Sequence, residues 1–316
     1  MSKGEVLLCR RKKDNEYVVL KVKKVLKFGI DGTVKSEGFI KAEHRLNLFE
    51  VHFLEKLAKY YHPHIVKLNA VWVVEKFYEV YIEFEQCETN MGSVMKTKKY
   101  NFSIREAADF LRQTLLALRY CHLNGIIHAD VKEENLLIKD NKIKLCDFDM
   151  ARQANSSDPR GLIPTQNNMN DFRYQPIELL LQTPLCGYGI DMYAAGCMFI
   201  KMFAGERQST AEALYETFNK QEQLFVIHQH SGPIHEWYFR NGGNPDNLTS
   251  PVHYAPKYFK PAVGFQKFFD FLPNHPTLLN LVSRMIECDL NKRIDALSAL
   301  NHQFFYVVAS EESCNN

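Results

Sequence analysis

The sequence predicts an α+β fold in two lobes, a small β-rich N-terminal lobe and a larger helical C-terminal one. Three observations carry this. Up to about residue 85 the apolar residues fall in short runs rich in Val, Ile, Tyr and Phe, with one helical pattern among them. From about residue 100 the apolar spacing turns to three and four. The change falls near residues 85 to 92, so a sheet-rich piece precedes a helix-rich one. The expected division is 1–87 for the first lobe, 88–308 for the second and 309–316 for a tail.

VLLCRRKKDNEYVVLKVKKV holds two β-rich runs around Lys13-Asp14-Asn15, which predicts a hairpin. A polar loop follows, with glycines at 29, 32 and 38. The stretch from 42 to 60 predicts a helix, with Leu46, Phe49, Phe53, Leu57 and Tyr60 at three and four and Pro63 beyond its end. Tyr60 and Tyr61 are expected to pack. HIVKLNAVWVVE and FYEVYIEFE read as adjacent strands. Ser103 and Glu106 stand at capping-box spacing before a stripe of Ile104, Ala107, Ala108, Leu111, Leu115 and Leu118, and Gly125 is placed to stop that helix. Short strands flank Asp140-Asn141, and residues 151–171 read as a loop. Helices resume at IELLLQ, IDMYAAGCMFIKMFAG and TLLNLVSRMIEC.

The bulk numbers narrow the function. Lys and Arg number 39 against 37 Asp and Glu, leaving +2, a balance that gives no field for nucleic acid or an anionic membrane. The longest apolar run, YAAGCMFI, is too short to span a bilayer. The eight cysteines are scattered with no C-x-x-C pair, which argues against zinc modules and disulfides and suits an intracellular compartment, cytoplasmic or nuclear.

The chemistry concentrates in GIIHADVKEENLLIKDNKIKLCDFDMA, residues 125–151. Transfer of a γ-phosphoryl group from ATP needs a carboxylate near the acceptor hydroxyl, cations against the phosphates and ligands for magnesium. Asp130, Lys132 and Asn135 lie within six residues, and Asp147 follows after strand, turn and strand. Asp130 is the candidate for the acceptor hydroxyl, and Lys132 for charge on the moving group. Asn135 and Asp147 offer the hard oxygen ligands that Mg²⁺ prefers.

This segment resembles the protein kinase signature H-R-D-x-K-x-x-N followed by D-F-G. The likeness extends over the chain from Gly4 to about Phe305. YVVLK resembles V-A-I-K, which implies that Lys21 grips the α- and β-phosphates, with Glu50 as its ion-pair partner. Gly4-Glu5-Val6 resembles the end of the glycine loop, so Gly4 and Val6 are implied at the nucleotide. YIEFEQC resembles the hinge between lobes, where backbone groups of Glu85 and Cys87 would bond adenine. YQPIELL resembles A-P-E with Glu178 in register, IDMYAAG carries Asp191, and Arg293 is implied as the buried partner of Glu178. His128 is implied as a structural histidine. HPHIVKL, ELLL and the KRIDALSALNHQFF close are most similar to the cyclin-dependent kinase (CMGC) branch, and the region from about 220 to 275 sits where that branch carries an insert. The resemblance implies a protein-kinase-like fold and a serine/threonine kinase acting on protein substrates. An activating subunit of cyclin type on the Glu50 helix is implied by branch likeness alone.

Several positions depart from the family. Ala129 replaces the arginine that holds a phosphorylated activation loop, which argues against that switch here. Thr165 is the only threonine of the loop and is read as a solvated loop residue, and Ser156 and Ser157 are its only serines. Asp149 replaces the glycine of D-F-G, so a stiffer switch is expected at Asp147. Asp171 falls where a Ser or Thr is usual, and Gln175 where proline-directed members keep arginine. The sequence begins at the third glycine of the loop pattern, which leaves two readings open: the first two phosphate-cradling glycines lie upstream of it, or nucleotide is held with half the lid. These departures leave open a second reading, a pseudokinase that serves as scaffold or allosteric partner. A small-molecule phosphotransferase is disfavoured by Glu178, Asp191 and Arg293.

Overall fold

The structure, a computed structural model, describes residues 5–24, 49–74, 79–158, 160–161, 163–164, 172–183, 185–205, 220–231 and 264–313. Gly4, Leu46, the loop with glycines at 29, 32 and 38, Thr165, Asp171 and most of the expected insert lie outside the described residues.

The N-terminal lobe is built on a four-stranded antiparallel sheet with β1 (Glu5–Arg10), β2 (Tyr17–Lys24), β3 (Leu68–Val74) and β4 (Glu79–Glu85) in the order β1-β2-β4-β3. The hairpin turn falls where Asp14 and Asn15 predict it. Asp14 Oδ1 accepts the Glu16 N–H, and Asn15 takes φ +66°, a conformation its short polar side chain tolerates. Strand β4 is central, and Val80 and Ile82 on its inner face are fully buried.

Helix α1 (Phe49–Ala58) buries Val51, Phe53, Leu54 and Leu57 in one core that continues into the second lobe. That face, more than its short length, is what stabilises the helix. The structure corrects the reading of its end. The helix stops at Ala58, so Tyr60 and Tyr61 fall off the apolar stripe and are 67% and 72% exposed. Tyr120 closes the helix instead, its hydroxyl donating to the Leu57 and Tyr60 carbonyls at 2.9 and 2.6 Å. Residues 64–67, read as the start of a strand, tie the lobes together. Val66 N–H donates to Leu145 O at 3.0 Å, and Leu145 N–H to His64 O at 2.9 Å.

Helix α2 (Met91–Thr97) opens the second lobe with Asn90 as its cap. Helix α3 (Ile104–Leu123) has the expected capping box, Ser103 Oγ accepting from Glu106 N–H and Glu106 returning a carboxylate oxygen to Ser103 N–H. Its predicted stripe is buried apart from the half-buried Ile104. Gly125 ends it at φ +68°, and a Cβ there would come within 2.8 Å of Gln153 Nε2. The hairpin of β5 (Leu136–Lys139) and β6 (Lys142–Leu145) turns at Asp140 and Asn141, both at positive φ. Beyond it stand α4 (Ile177–Leu180), α5 (Gly189–Lys201), α6 (Lys220–Ser231), α7 (Pro276–Met285) and α8 (Gln303–Ser313). Helix α8 continues through residues 309–313, which were expected as a tail. Val308 and Phe304 bury its inner face, and that packing carries the helix on. Among the described residues no helix is long and apolar enough to cross a membrane.

His230 of α6 is buried against Phe268 and Phe269, ring centroids 5.6 and 5.3 Å away. Burial pushes its pKa down from 6.5 to about 3. As the pH falls below 6.5 the unfolded chain takes the proton first. Stability from the neutral ring is whole above that pH and is lost between 6.5 and about 3. At pH 5 the loss is about 2 kcal/mol. The His230→Leu variant should therefore show a shallower fall in melting temperature between pH 7 and pH 5 than the unsubstituted chain. Parallel curves would remove His230 from the acid response.

Candidate active site

Local rules and long-range packing bring Lys21, Glu50 and Asp147 into one cluster and Asp130, Lys132 and Asn135 into another. Strand alternation places Lys21 and Lys23 on one face of β2. Glu50 stands in the first turn of α1, buried to 1%, whereas Glu55 of the same helix is exposed. Asp147 follows β6 with φ +63° and ψ +70°, in the left-handed region, and heads a short 3₁₀ turn over Phe148–Met150. Phe148 is fully buried in the core that also holds α1 and stacks edge-on against His128 at 4.7 Å. That burial fixes where Asp147 emerges.

The result is a chain of alternating charges. Lys21 Nζ lies 3.0 Å from Glu50 Oε1, 2.8 Å from Asp147 Oδ1 and 3.1 Å from Asp149 Oδ2. Lys23 Nζ reaches Glu50 Oε2 at 2.7 Å and also pairs with Asp149 Oδ1. Glu50 Oε2 has no hydrogen bond of good angle, yet it sits 2.9 and 2.7 Å from the two ammonium nitrogens and is neutralised by ion contact. Burial alone would lower the Lys21 pKa, but Glu50, Asp147 and Asp149 outweigh it and hold the ammonium well above its ordinary value. Burial raises the Glu50 carboxyl. With two ammonium groups against it, the carboxylate is the form this geometry supports. Burial would also raise Asp147, and Lys21 reverses that, leaving its pKa below the usual carboxylate range.

The segment from His128 to Asn135 forms the floor. Lys132 Nζ bridges both Asp130 oxygens at 2.9 and 2.8 Å, and Asn135 Nδ2 donates to Asp130 Oδ2 at 2.9 Å and to the Asp130 carbonyl at 2.8 Å. Asp191, at the start of α5, accepts the backbone N–H groups of His128 and Ala129 at 2.9 and 2.8 Å and contacts His122 Nε2 at 2.9 Å. These bonds hold Ala129 at φ +63°, a conformation costly for alanine. His128 is fully buried, its Nε2 3.0 Å from the Cys146 carbonyl. Glu133 is buried against Lys201 and the Tyr174 hydroxyl, which ties the floor to α5. A shallow pocket beside Asp130 is walled by Ala129, Tyr174, Gln175, Pro176 and Leu179.

Where the sequence predicts the hinge, the Glu85 N–H donates to the Lys67 carbonyl at 3.1 Å. The Glu85 carboxylate is held by Lys139 and Lys144, each at 2.9 Å. Burial pushes the half-exposed Cys87 thiol up to about 11, with Glu85 adding to it. Val6 lies on β1 opposite Lys21 and is largely exposed. Far below, Arg293 grips Glu178 with both terminal nitrogens at 2.6 and 3.0 Å, the two side chains essentially buried.

The donor set fits Mg²⁺ and a nucleotide. Among the described residues Asp147 spends only Oδ1 on Lys21 and Asn135 donates through Nδ2, which leaves a hard oxygen on each. Sequence reading missed Lys23 and the pairing of Asp149. A signal was present: each repeats, two residues on, the charge of Lys21 or Asp147.

Comparison with known proteins gives the family. The protein kinase domain family matches residues 2–305. The chain is 30% identical over 272 residues to cyclin-dependent kinase F-3 of Oryza sativa subsp. japonica, covering 85% of this chain and 57% of that protein. It is 28% identical to cyclin-dependent kinase C-2 of the same rice, over 96% of this chain and 56% of that one. It is also 28% identical to CTD kinase subunit alpha of Saccharomyces cerevisiae (strain ATCC 204508 / S288c), over 80% and 45%. The chain spans about half the length of these relatives. With the family matched over almost its whole length and the bilobal α+β fold in place, the chain belongs to the protein kinase domain family.

Proposed function

We propose that the protein is an ATP-dependent serine/threonine kinase that phosphorylates protein hydroxyls, with residues 1–87 as the N-terminal lobe and 88–308 as the core of the C-terminal lobe. The observation that carries this is the contact of Lys21 with both Glu50 and Asp147, at 3.0 and 2.8 Å, above an Asp130 cradled by Lys132 and Asn135. A decayed site has no reason to keep that arrangement across 126 residues of chain between Lys21 and Asp147.

Mg·ATP supplies the γ-phosphoryl group and the metal's neutralising charge. Asp130 orients the acceptor hydroxyl and takes its proton as the oxygen bonds to phosphorus and the bond to the β–γ bridging oxygen breaks. Lys132 places positive charge beside the transferring group. Lys21, oriented by Glu50, holds the α- and β-phosphates, and Asn135 with Asp147 holds the metal. The Glu85 carbonyl and Cys87 backbone receive adenine, with Gly4 and Val6 over the phosphates. His128, Asp191, Glu178 and Arg293 keep the floor in place.

The names of the relatives support protein substrates and a cyclin-type activator, and its place on α1 rests on branch likeness alone. The scattered thiols support an intracellular setting. The test is transfer of radiolabel from ATP with Mg²⁺ to generic Ser/Thr substrates and to the protein itself, beside Asp130→Asn. Transfer that disappears in the variant is the expected result. No transfer by the unsubstituted chain, even with cell extract to supply an activator, would overturn the kinase reading.

A further inference from the structure

Lys23 lies outside the motifs from which the site was read and Asp149 departs from one of them, yet the two side chains pair beside Lys21 and Glu50. Asp149 bridges the two lysines, accepting from Lys21 through Oδ2 at 3.1 Å and from Lys23 through Oδ1. Lys23 in turn shares Glu50 Oε2 with Lys21. Lys21, Glu50 and Asp147 alone sum to one negative charge, and adding Lys23 and Asp149 leaves that sum unchanged. The pair thus enters the site as a neutral unit.

Asp149 without Lys23 would be a liability. Oxygens of Glu50, Asp147 and Asp149 lie within 4.8 Å of one another, so three carboxylates would compete for the Lys21 ammonium. Nucleotide phosphates would then have to displace one of them. With Lys23 present, Asp149 has a cation of its own and the place a metal would take among the carboxylates is filled by ammonium groups.

The backbone gives the pair a task. Asp147 sits at positive φ with no glycine two residues on to absorb a swing, and Asp149 lies on the 3₁₀ turn directly after it. Ala129 stands where the family resemblance implies an arginine for a phosphorylated loop, and alanine offers no charge to a phosphate. We infer that Lys23 and Asp149 are positioning residues, a compensating ion pair that pins the 148–150 turn to β2 and α1 and so keeps Asp147 and Glu50 on Lys21 without help from a phosphorylated loop. The inference rests on the kinase reading for its catalytic consequence, but the pair itself does not.

The experiment is a double-mutant cycle of Lys23→Met and Asp149→Gly, read two ways on the full chain. In steady-state transfer, Lys23→Met should lower kcat/KM for ATP by about tenfold or more, because Asp149 then competes with phosphate for Lys21. Adding Asp149→Gly should recover at least half of that loss on a logarithmic scale. Losses that simply add in the double variant, or a Lys23→Met variant equal to the unsubstituted chain, would overturn the inference. Melting temperature without nucleotide is the second readout. Coupling there with strictly additive kcat and KM would reduce the pair to structure and overturn the positioning role. If the unsubstituted chain transfers no phosphate, coupled melting temperatures would sustain the ion pair while the kinase reading falls, and additive ones would overturn both.

Discussion

Asp130→Asn is expected to lower kcat by about 10²–10⁴-fold, the range for losing a positioned general base. An amide cannot take the proton of the acceptor hydroxyl, and it presents an N–H₂ group to a site built for an anion. Lys132 bridges both Asp130 oxygens and Asn135 donates to one of them, so the asparagine must turn a donor towards a donor. The effect should stay in kcat. Lys21, Glu50 and Asp147 make no bond to Asp130, and the KM for ATP should move by no more than a few-fold. Rates from radiolabelled transfer over a range of ATP concentrations separate the two. A kcat within tenfold of the unsubstituted protein would remove Asp130 as the base.

The largest effect on stability is expected from Arg293→Ala. Arg293 and Glu178 are buried together, and the guanidinium also donates to the carbonyls of Gly189 and Glu287 at 2.9 and 2.7 Å. Removing one partner of such a pair strands a buried charge, at a cost of about 3–5 kcal/mol. A fall in melting temperature on the order of 10 °C corresponds. Replacing both residues, as in Glu178→Leu with Arg293→Met, should recover part of the loss because no charge is left alone. Calorimetry of the single and double variants checks both statements. An Arg293→Ala protein melting within a few degrees of the unsubstituted chain would show that the pair is solvated rather than buried.

Local rules carried much of this fold. Capping at Ser103 and Glu106, the turn at Asp140-Asn141 and the stripe on α3 each depend on residues a few positions apart, so their physics is written in the local sequence. Where a partner is distant the reading thinned. Val66 looks like any strand residue until Leu145 accepts its N–H. Tyr60 continues an apolar rhythm, but the helix beneath it has ended. The last helix runs on to Ser313 because its inner face finds the second lobe, which no residue in the stretch announces.

The site divides along the same line. Spacing alone selected Asp130, Lys132, Asn135 and Asp147, because hard ligands and a base close together in sequence leave few other uses. Lys21, Glu178, Asp191 and Arg293 were found by family likeness, which stores long-range contacts that one sequence does not display. Lys23 and its pairing with Asp149 escaped both readings. Asp149 drew notice only as a missing glycine and Lys23 looks like an ordinary surface charge, and only the packing of α1 and Phe148 brings one to the other. An ion pair depends on distance in space, so its partner is decided by the tertiary structure and not by the neighbours a residue has along the chain.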